Sequence, residues 1–247
     1  MKEDVISKKN VDLFNRDVVD NNMNYRYNNE SLSSQTANKN LANAILSSYS
    51  FKGKKVLDMG SGDGYDSVLL ATAGQGTIVG IEPAENAVKF ANERSASLGL
   101  SDILKFYVGN VYTYKPEETF DCVVLRGVLH HLPDQAKAIK CASAWANEII
   151  IIEPNGFNPL LKIIEKTSRY HIEHEEQSFT SWKLKKWLNR AGFSKIRICK
   201  FVNLIPLFCP DWMVKILMPI QPIIEKIPLL RELFCGCIIL VAEQEKK

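Results

Sequence analysis

Residues Val56 to Gly64 read VLDMGSGDG: an apolar run closes on an acid, Asp58, and then breaks into glycines at alternate positions, Gly60, Gly62 and Gly64. A strand that stops at glycines and turns into a helix brings backbone N–H groups close to a bound group, because no Cβ stands in the way. A dinucleotide loop uses the same freedom but spaces its glycines G-x-G-x-x-G. Here the spacing is G-x-G-x-G, which argues against a nicotinamide-type ligand.

Working outward, β-rich runs fall at Lys55 to Met59, Thr77 to Glu82, Leu104 to Gly109, Asp121 to Arg126, Glu148 to Glu153, Lys195 to Val202 and Gly236 to Ala242. Helical stretches lie between them, near Tyr65 to Ala73, Glu85 to Leu98, Gln135 to Ala146 and Ser181 to Ala191. This alternation predicts an α/β protein with a parallel sheet wound on both faces. In such a sheet the loops at the carboxyl ends of the strands hold the ligand.

The flanks are less regular. Residues 1–54 are polar and rich in asparagine, and read as a flexible arm with one helix over LANAILSSY leading into a domain at 55–247. At 247 residues and 46% hydrophobic content the chain can bury one elaborated core. A net charge of +3, with basic residues scattered among acids, carries no nucleic-acid footprint. The six cysteines form no C-x-x-C pair, and the first residues lack an apolar signal core, so a reduced, cytoplasmic protein is expected. Cys235-Gly-Cys237 opens an apolar strand and reads as a pair of buried thiols.

Further marks sit at the predicted strand ends. The second strand closes on Glu82-Pro83, the third is followed by Asn110-Val111, the fourth runs FDCVVLRGVLHHLPD, the fifth ends IIIIEPN, and Ala191-Gly192-Phe193 precedes the sixth. Together with VLDMGSGDG, and in this order over residues 55 to 200, they resemble the class I S-adenosylmethionine-dependent methyltransferases. The likeness is to the small-molecule branch that includes the ubiquinone and menaquinone enzymes. It implies a Rossmann-like, seven-stranded, mostly parallel sheet whose last strand is antiparallel, S-adenosylmethionine as cofactor and S-adenosylhomocysteine as product.

The resemblance also assigns positions. Asp58, Gly60, Ser61, Gly62, Gly64, Glu82, Pro83, Asn110 and Val111 are expected around the cofactor, with Glu82 accepting both ribose hydroxyls. Asn110, where the family more often has Asp, is expected at the adenine amino group; it keeps an acceptor and adds a donor. Arg126 stands where a small residue is common, and could reach the methionine carboxylate or an acidic acceptor, or pair with a neighbouring acid. Tyr25 and Tyr27 in the arm either fold over the cofactor or stay exposed.

Methyl transfer needs an acceptor held in line with the carbon–sulfur bond and, for a hydroxyl, a base within reach. His130, His131 and Glu153 are the candidates; the alternative roles are packing or capping for the histidines and loop-holding for Glu153. The segment RYHIEHEEQSFT brings His171, His174, Glu175 and Glu176 together. It is read as a polar lid bordering the acceptor pocket, with no metal expected, because a catechol-type metal site calls for acids and an amide that are not placed here.

The most individual feature is residues 203–234, about thirty residues where a hairpin needs two to five. Trp212, Ile216, Ile220, Ile223, Ile224 and Ile227 repeat at helical spacing, while Pro210, Pro219, Pro222 and Pro228 are expected to cut the segment into short pieces. If the sixth strand is parallel, the insert roofs the site, with Trp212 in the substrate region. Its apolar runs are too short to span a bilayer. A lid, an interfacial segment lying on lipid and a dimer contact all remain open, and a greasy roof suits a hydrophobic or lipid-linked small-molecule acceptor. A catalytically silent, cofactor-binding regulator is the alternative. A nucleic-acid or protein methyltransferase is disfavoured, since no N/D-P-P-Y motif follows the fourth strand.

Overall fold

Apolar residues form almost unbroken runs along the central strands, and because successive side chains point to opposite sides both faces are buried. In the computed structural model, which describes residues 2–20, 30–173 and 176–245, seven strands form one sheet. They are β1 (Lys55–Met59), β2 (Thr77–Glu82), β3 (Leu104–Val108), β4 (Phe120–Arg126), β5 (Ala146–Pro154), β6 (Lys195–Val202) and β7 (Cys237–Glu243). Interleaved helices are α1 (Lys2–Asp20), α2 (Leu32–Ser48), α3 (Tyr65–Thr72), α4 (Glu85–Ser97) and α5 (Gln135–Ala142). They continue with α6 (Pro159–Thr167), α7 (Arg169–Glu173), α8 (Ser181–Ala191), α9 (Asp211–Ile224) and α10 (Pro228–Phe234).

The strand order is β3-β2-β1-β4-β5-β7-β6, with β7 antiparallel to both neighbours and the other pairings parallel. This is the expected doubly wound sheet with an antiparallel last strand. Because β7 opposes both β5 and β6, β6 runs in the direction of β1–β5, and its end opens on the same edge as the glycine loop.

Side chains at successive positions separate to opposite faces. Val56, Ile78, Val124, Ile150 and Val241 join Leu41 and Ile45 of α2, Leu70 of α3 and Val88 of α4. Leu57, Val123, Leu125, Ile149 and Leu240 join Ile139 of α5 and Leu184 and Leu188 of α8. The helix expected to reach Ala146 ends at Ala142, and β5 begins at Ala146, where the Trp145 carbonyl accepts the Phe120 N–H.

The amino-terminal segment departs from expectation. The flexible arm with one helix contains two helices, and α1 packs on α4. Val18 is fully buried with Ala84 and Ala87, and Phe14 and Phe90 close the cluster. Asn15 Oδ1 accepts the Asn86 N–H in the first turn of α4, a helix with no side-chain cap of its own. Burying a side chain such as Val18 contributes about 1.5–3 kcal/mol, which holds a helix that composition reads as a free arm.

The insert also differs from expectation. Pro219 and Pro222 lie inside α9 without ending it. Both are exposed, so water can take the Lys215 and Met218 carbonyls that lose their intrahelical partners. The principal partner of α9 is α2. Gln221, buried, accepts from Asn40 Nδ2 at 3.1 Å and from the Leu204 N–H at 3.2 Å, and Ser33 Oγ donates to the Leu207 carbonyl at 2.7 Å. Gln221→Ala strands two donors; the expected cost is about 1–3 kcal/mol, read as a lowered urea midpoint, and an unchanged midpoint contradicts the anchoring.

Candidate functional site

Gly60, Gly62 and Gly64 all have positive φ, at 85°, 55° and 74°. Such a path is open to glycine and strained for other residues. The Gly60 and Ser61 N–H groups donate to the Ile81 carbonyl, tying the loop to β2, and Gly64 begins α3 in the left-handed region. A Cβ on Gly60 would stand 2.5 Å from Val128 Cγ2, so the loop touches the turn after β4 at a point where no side chain fits.

Two acids sit under this loop. Asp58 is buried and accepts from Ser67 Oγ at 2.5 Å; burial pushes its carboxyl up to about 6. Glu82 is also buried, and burial pushes its carboxyl up to about 7 against the pull of two backbone N–H donors, Ala84 at 3.0 Å and Gly62 at 3.2 Å. Each Glu82 oxygen uses one lone pair on the protein and keeps another for a diol. Ser61 Oγ is buried without a hydrogen-bond partner among the described residues. An orphaned hydroxyl, a side-chain-free loop and an acid with spare acceptors fit a nucleoside ligand.

Asn110 follows β3; its Oδ1 accepts the Tyr112 N–H at 2.9 Å, so the side chain meets a ligand with its amide nitrogen and one remaining lone pair. Val111 is buried in the core beneath it, and Pro83 lies half-buried beside Glu82. Arg126 forms an ion pair with Asp66 of α3, the neighbouring-acid outcome among those open to it. Asp63, a loop residue that sequence reasoning passed over, is buried and held by Arg94 through its carbonyl at 2.6 Å and its carboxylate at 3.5 Å.

Opposite the loop, a 3-10 turn at Leu129–His131 carries the two histidines. Glu153, 1% exposed at the end of β5, takes three donors: the Val128 and Leu129 N–H groups on Oε1 at 3.0 and 2.7 Å, and His130 Nδ1 on Oε2 at 2.6 Å. Its observed role is therefore the loop-holding one, with the buried His130 as its side-chain partner. Burial opposes charging of His130, but the Glu153 charge and hydrogen bond outweigh it, and the imidazole holds its proton above the usual histidine range. The rings of His130 and His131 lie 4.0 Å apart.

His131 is covered by α1. Its ring meets Phe14 edge-on at 4.9 Å, and its carbonyl accepts from Asn10 Nδ2 at 3.1 Å. Sequence reasoning missed both α1 residues, although Val11, Phe14 and Val18 carry a helical spacing that was there to be found. His171 of α7 pairs with Glu176 at 3.2 Å and meets Ser168 Oγ at 3.0 Å. Glu176 in turn converges with His130 and His131, each offering one ligand atom within 4.8 Å of the others, a spacing that can hold a divalent cation. An open cleft lined by Leu13 and Arg16 of α1 and Arg169 and Glu173 of α7 lies alongside. Trp212, expected in the substrate region, is 63% exposed on α9. Tyr25, Tyr27, His174 and Glu175 lie outside the described residues.

The chain resembles known proteins throughout this region. Residues 50–192, more than half of its length, match the family described as methyltransferase domain. It is 30% identical over 105 residues to 27-O-demethylrifamycin SV methyltransferase of Amycolatopsis mediterranei, covering 42% of this chain and 36% of that one. It is 34% identical over 98 residues to ubiquinone biosynthesis O-methyltransferase of Bordetella bronchiseptica, covering 39% and 40%. The matched part thus spans less than half of each of these curated relatives. Among solved structures, an S-adenosylmethionine-dependent methyltransferase of Thermotoga maritima, described as a possible histamine N-methyltransferase, superposes with a TM-score of 0.70 at 14% identity, over 96% of this chain and 100% of that one.

A test of the cofactor half follows from Glu82. If Glu82 receives the ribose hydroxyls, its ionised form is the one with an acceptor for each, so affinity for S-adenosylhomocysteine is expected to fall as pH drops through about 7. One unit below its pKa a carboxyl is only about one-tenth ionised, so binding at about pH 6 is expected to be several-fold to tenfold weaker than at about pH 8. Calorimetric titration reads this; a flat profile, or the same slope in Glu82→Gln, contradicts the assignment. With the glycine loop, the buried acids and the family match in agreement, the chain belongs to the methyltransferase domain family, of the class I, S-adenosylmethionine-dependent kind.

Proposed function

We propose that this chain transfers a methyl group from S-adenosylmethionine to a small, apolar or lipid-linked acceptor, at oxygen or carbon. The observation that carries the reading is the contact between the Gly60 loop and the turn bearing His130 and His131, which sets an ordered imidazole beside the cofactor cradle. When bound, the cofactor supplies an activated methyl group whose bond to sulfur breaks as the acceptor atom bonds the carbon. Asp58, Glu82, Ser61 and Asn110 would hold it, with Pro83 and Val111 as the wall. Arg126, through its ion pair with Asp66, braces α3.

Glu153 fixes His130 by its Nδ1 proton, so in the neutral ring Nε2 is the atom that takes a proton from an acceptor hydroxyl. His131 and Phe14 close that side against water, and His171 with Glu176 borders the acceptor. The apolar character of the acceptor is supported by the exposed apolar residues around α6, α9 and α10. One relative is named for methylating 27-O-demethylrifamycin SV and another for an O-methylation in ubiquinone biosynthesis, which supports a small-molecule acceptor. Contact with a membrane surface through 203–234 belongs to the same reading; no helix among the described residues is long and apolar enough to cross one.

A metal-assisted variant is the second reading, favoured by the convergence of His130, His131 and Glu176. A chelator separates the two: the base reading expects turnover to survive, and loss restored by added zinc supports the metal. His130→Ala is expected to lower turnover roughly a hundredfold or more while leaving cofactor affinity intact.

The reaction itself is tested by incubating the chain with methyl-labelled cofactor and an extract of the source cells, then counting organic and aqueous phases. Label in the organic phase, absent with Glu82→Ala, is the expected result. Label confined to polar species contradicts the apolar acceptor. No label, with cofactor binding intact, favours a silent regulator.

A further inference from the structure

Amphipathic helices of globular proteins turn their apolar stripe to the core, and α9 does the reverse. Its inward side carries Val214, Ile224 and a polar residue, Gln221, while Trp212, Ile216 and Ile223 of the stripe are 63%, 52% and 60% exposed. Two neighbours behave alike. Among the described residues, α6 and α10 contain no buried position, and Leu160, Ile163 and Leu229 face solvent.

The three helices are joined. α10 packs on α9. Asn158, the cap of α6, donates through Nδ2 to the Phe234 and Cys235 carbonyls at the end of α10. Asn155 donates to the Glu232 and Cys235 carbonyls beside them, at 2.8 Å each. An exposed apolar surface of several joined helices marks an interaction site.

Charge indicates what it meets. Lys166, Lys215 and Lys226 are exposed and have no acidic partner among the described residues. The nearby acids are largely turned inward: Glu225 accepts the Asn203 N–H at 3.0 Å, and Glu165 accepts the Ser178 N–H at 2.7 Å and pairs with Lys162. Asp211 and the half-buried Glu232 are the acids left. Apolar side chains rimmed by unpaired lysines suit an anionic lipid surface, where aliphatic groups enter the headgroup boundary and cations stay at the phosphates. An isologous contact with a second copy would instead bring two sets of the same lysines into one rim.

We infer that α6, α9 and α10 form a platform that seats the protein on an anionic membrane. α6 starts six residues after Glu153 and packs on α7, whose His171 pairs with Glu176 beside His130 and His131, so the platform is tied to the histidine site. An apolar acceptor then reaches His130 from the bilayer without crossing water. This extends the apolar-acceptor reading to the route of entry, and the docking itself requires neither acceptor nor cofactor.

The test is flotation of the full chain with vesicles of phosphatidylcholine alone and of phosphatidylcholine with a quarter phosphatidylglycerol. Binding to the anionic vesicles and weak binding to the neutral ones is expected. Ile216→Glu/Ile223→Glu should reduce binding tenfold or more, and Lys215→Gln/Lys226→Gln several-fold, with cofactor affinity unchanged in both. These positions are exposed, so folding is preserved, and unaltered cofactor affinity verifies it. No binding to either vesicle, or binding that the variants leave intact, overturns the proposal. A dimer in sedimentation that Ile223→Glu dissolves, without vesicle binding, assigns the surface to a second copy. Label from the methyl-transfer assay can reach the organic phase whatever the vesicles do, so the two readings fail separately.

Discussion

The Glu153 carboxylate takes two backbone N–H groups and an imidazole at once, sealed from solvent at the end of β5. A buried charge persists only when its acceptor positions are filled, so these bonds lock the turn that bears His130 and His131. The same turn supplies Val128, whose side chain lies against the bare Cα of Gly60. One carboxylate therefore sets both the imidazole and the wall against which the cofactor loop rests. The geometry of the loop and the geometry of the histidines are consequently a single problem, solved by packing.

Comparison with Glu82 sorts the two acids by chemistry. Both close parallel strands and both are buried, but Glu82 meets only two backbone donors and keeps lone pairs for a ligand. Glu153 takes three donors from the protein, His130 among them. In the proposed function, position at a strand end is thus shared by a ligand-binding acid and a positioning acid, and the donor count distinguishes them. The amino-terminal helix adds a third element: Asn10 and Phe14 cover His131, so the side of the site farthest from the sheet is closed by residues far away in sequence.

Much of this was legible in the residues. β1, β2 and β6 have the bounds read from sequence, because short β-rich runs and the glycine break are local signals. α1 was hidden by its polar surroundings, although Val11, Phe14 and Val18 carried the pattern. The helical spacing in 203–234 was visible, but periodicity reports amphipathic character and is silent on which side faces the core. Proline at 219 and 222 was read as a break; on an exposed face water can take the freed Lys215 and Met218 carbonyls, and the helix continues. Convergence of Glu176 with His130 and His131 depends on packing between segments distant in the chain, and no local pattern encodes it.

The most direct measurement is a crystal structure of the full chain with S-adenosylhomocysteine. The account requires both ribose hydroxyls on Glu82, the adenine against Asn110 and Val111, and the sulfur turned toward the His130–His131 turn. A ligand seated elsewhere, or one whose sulfur points away from that turn, contradicts it.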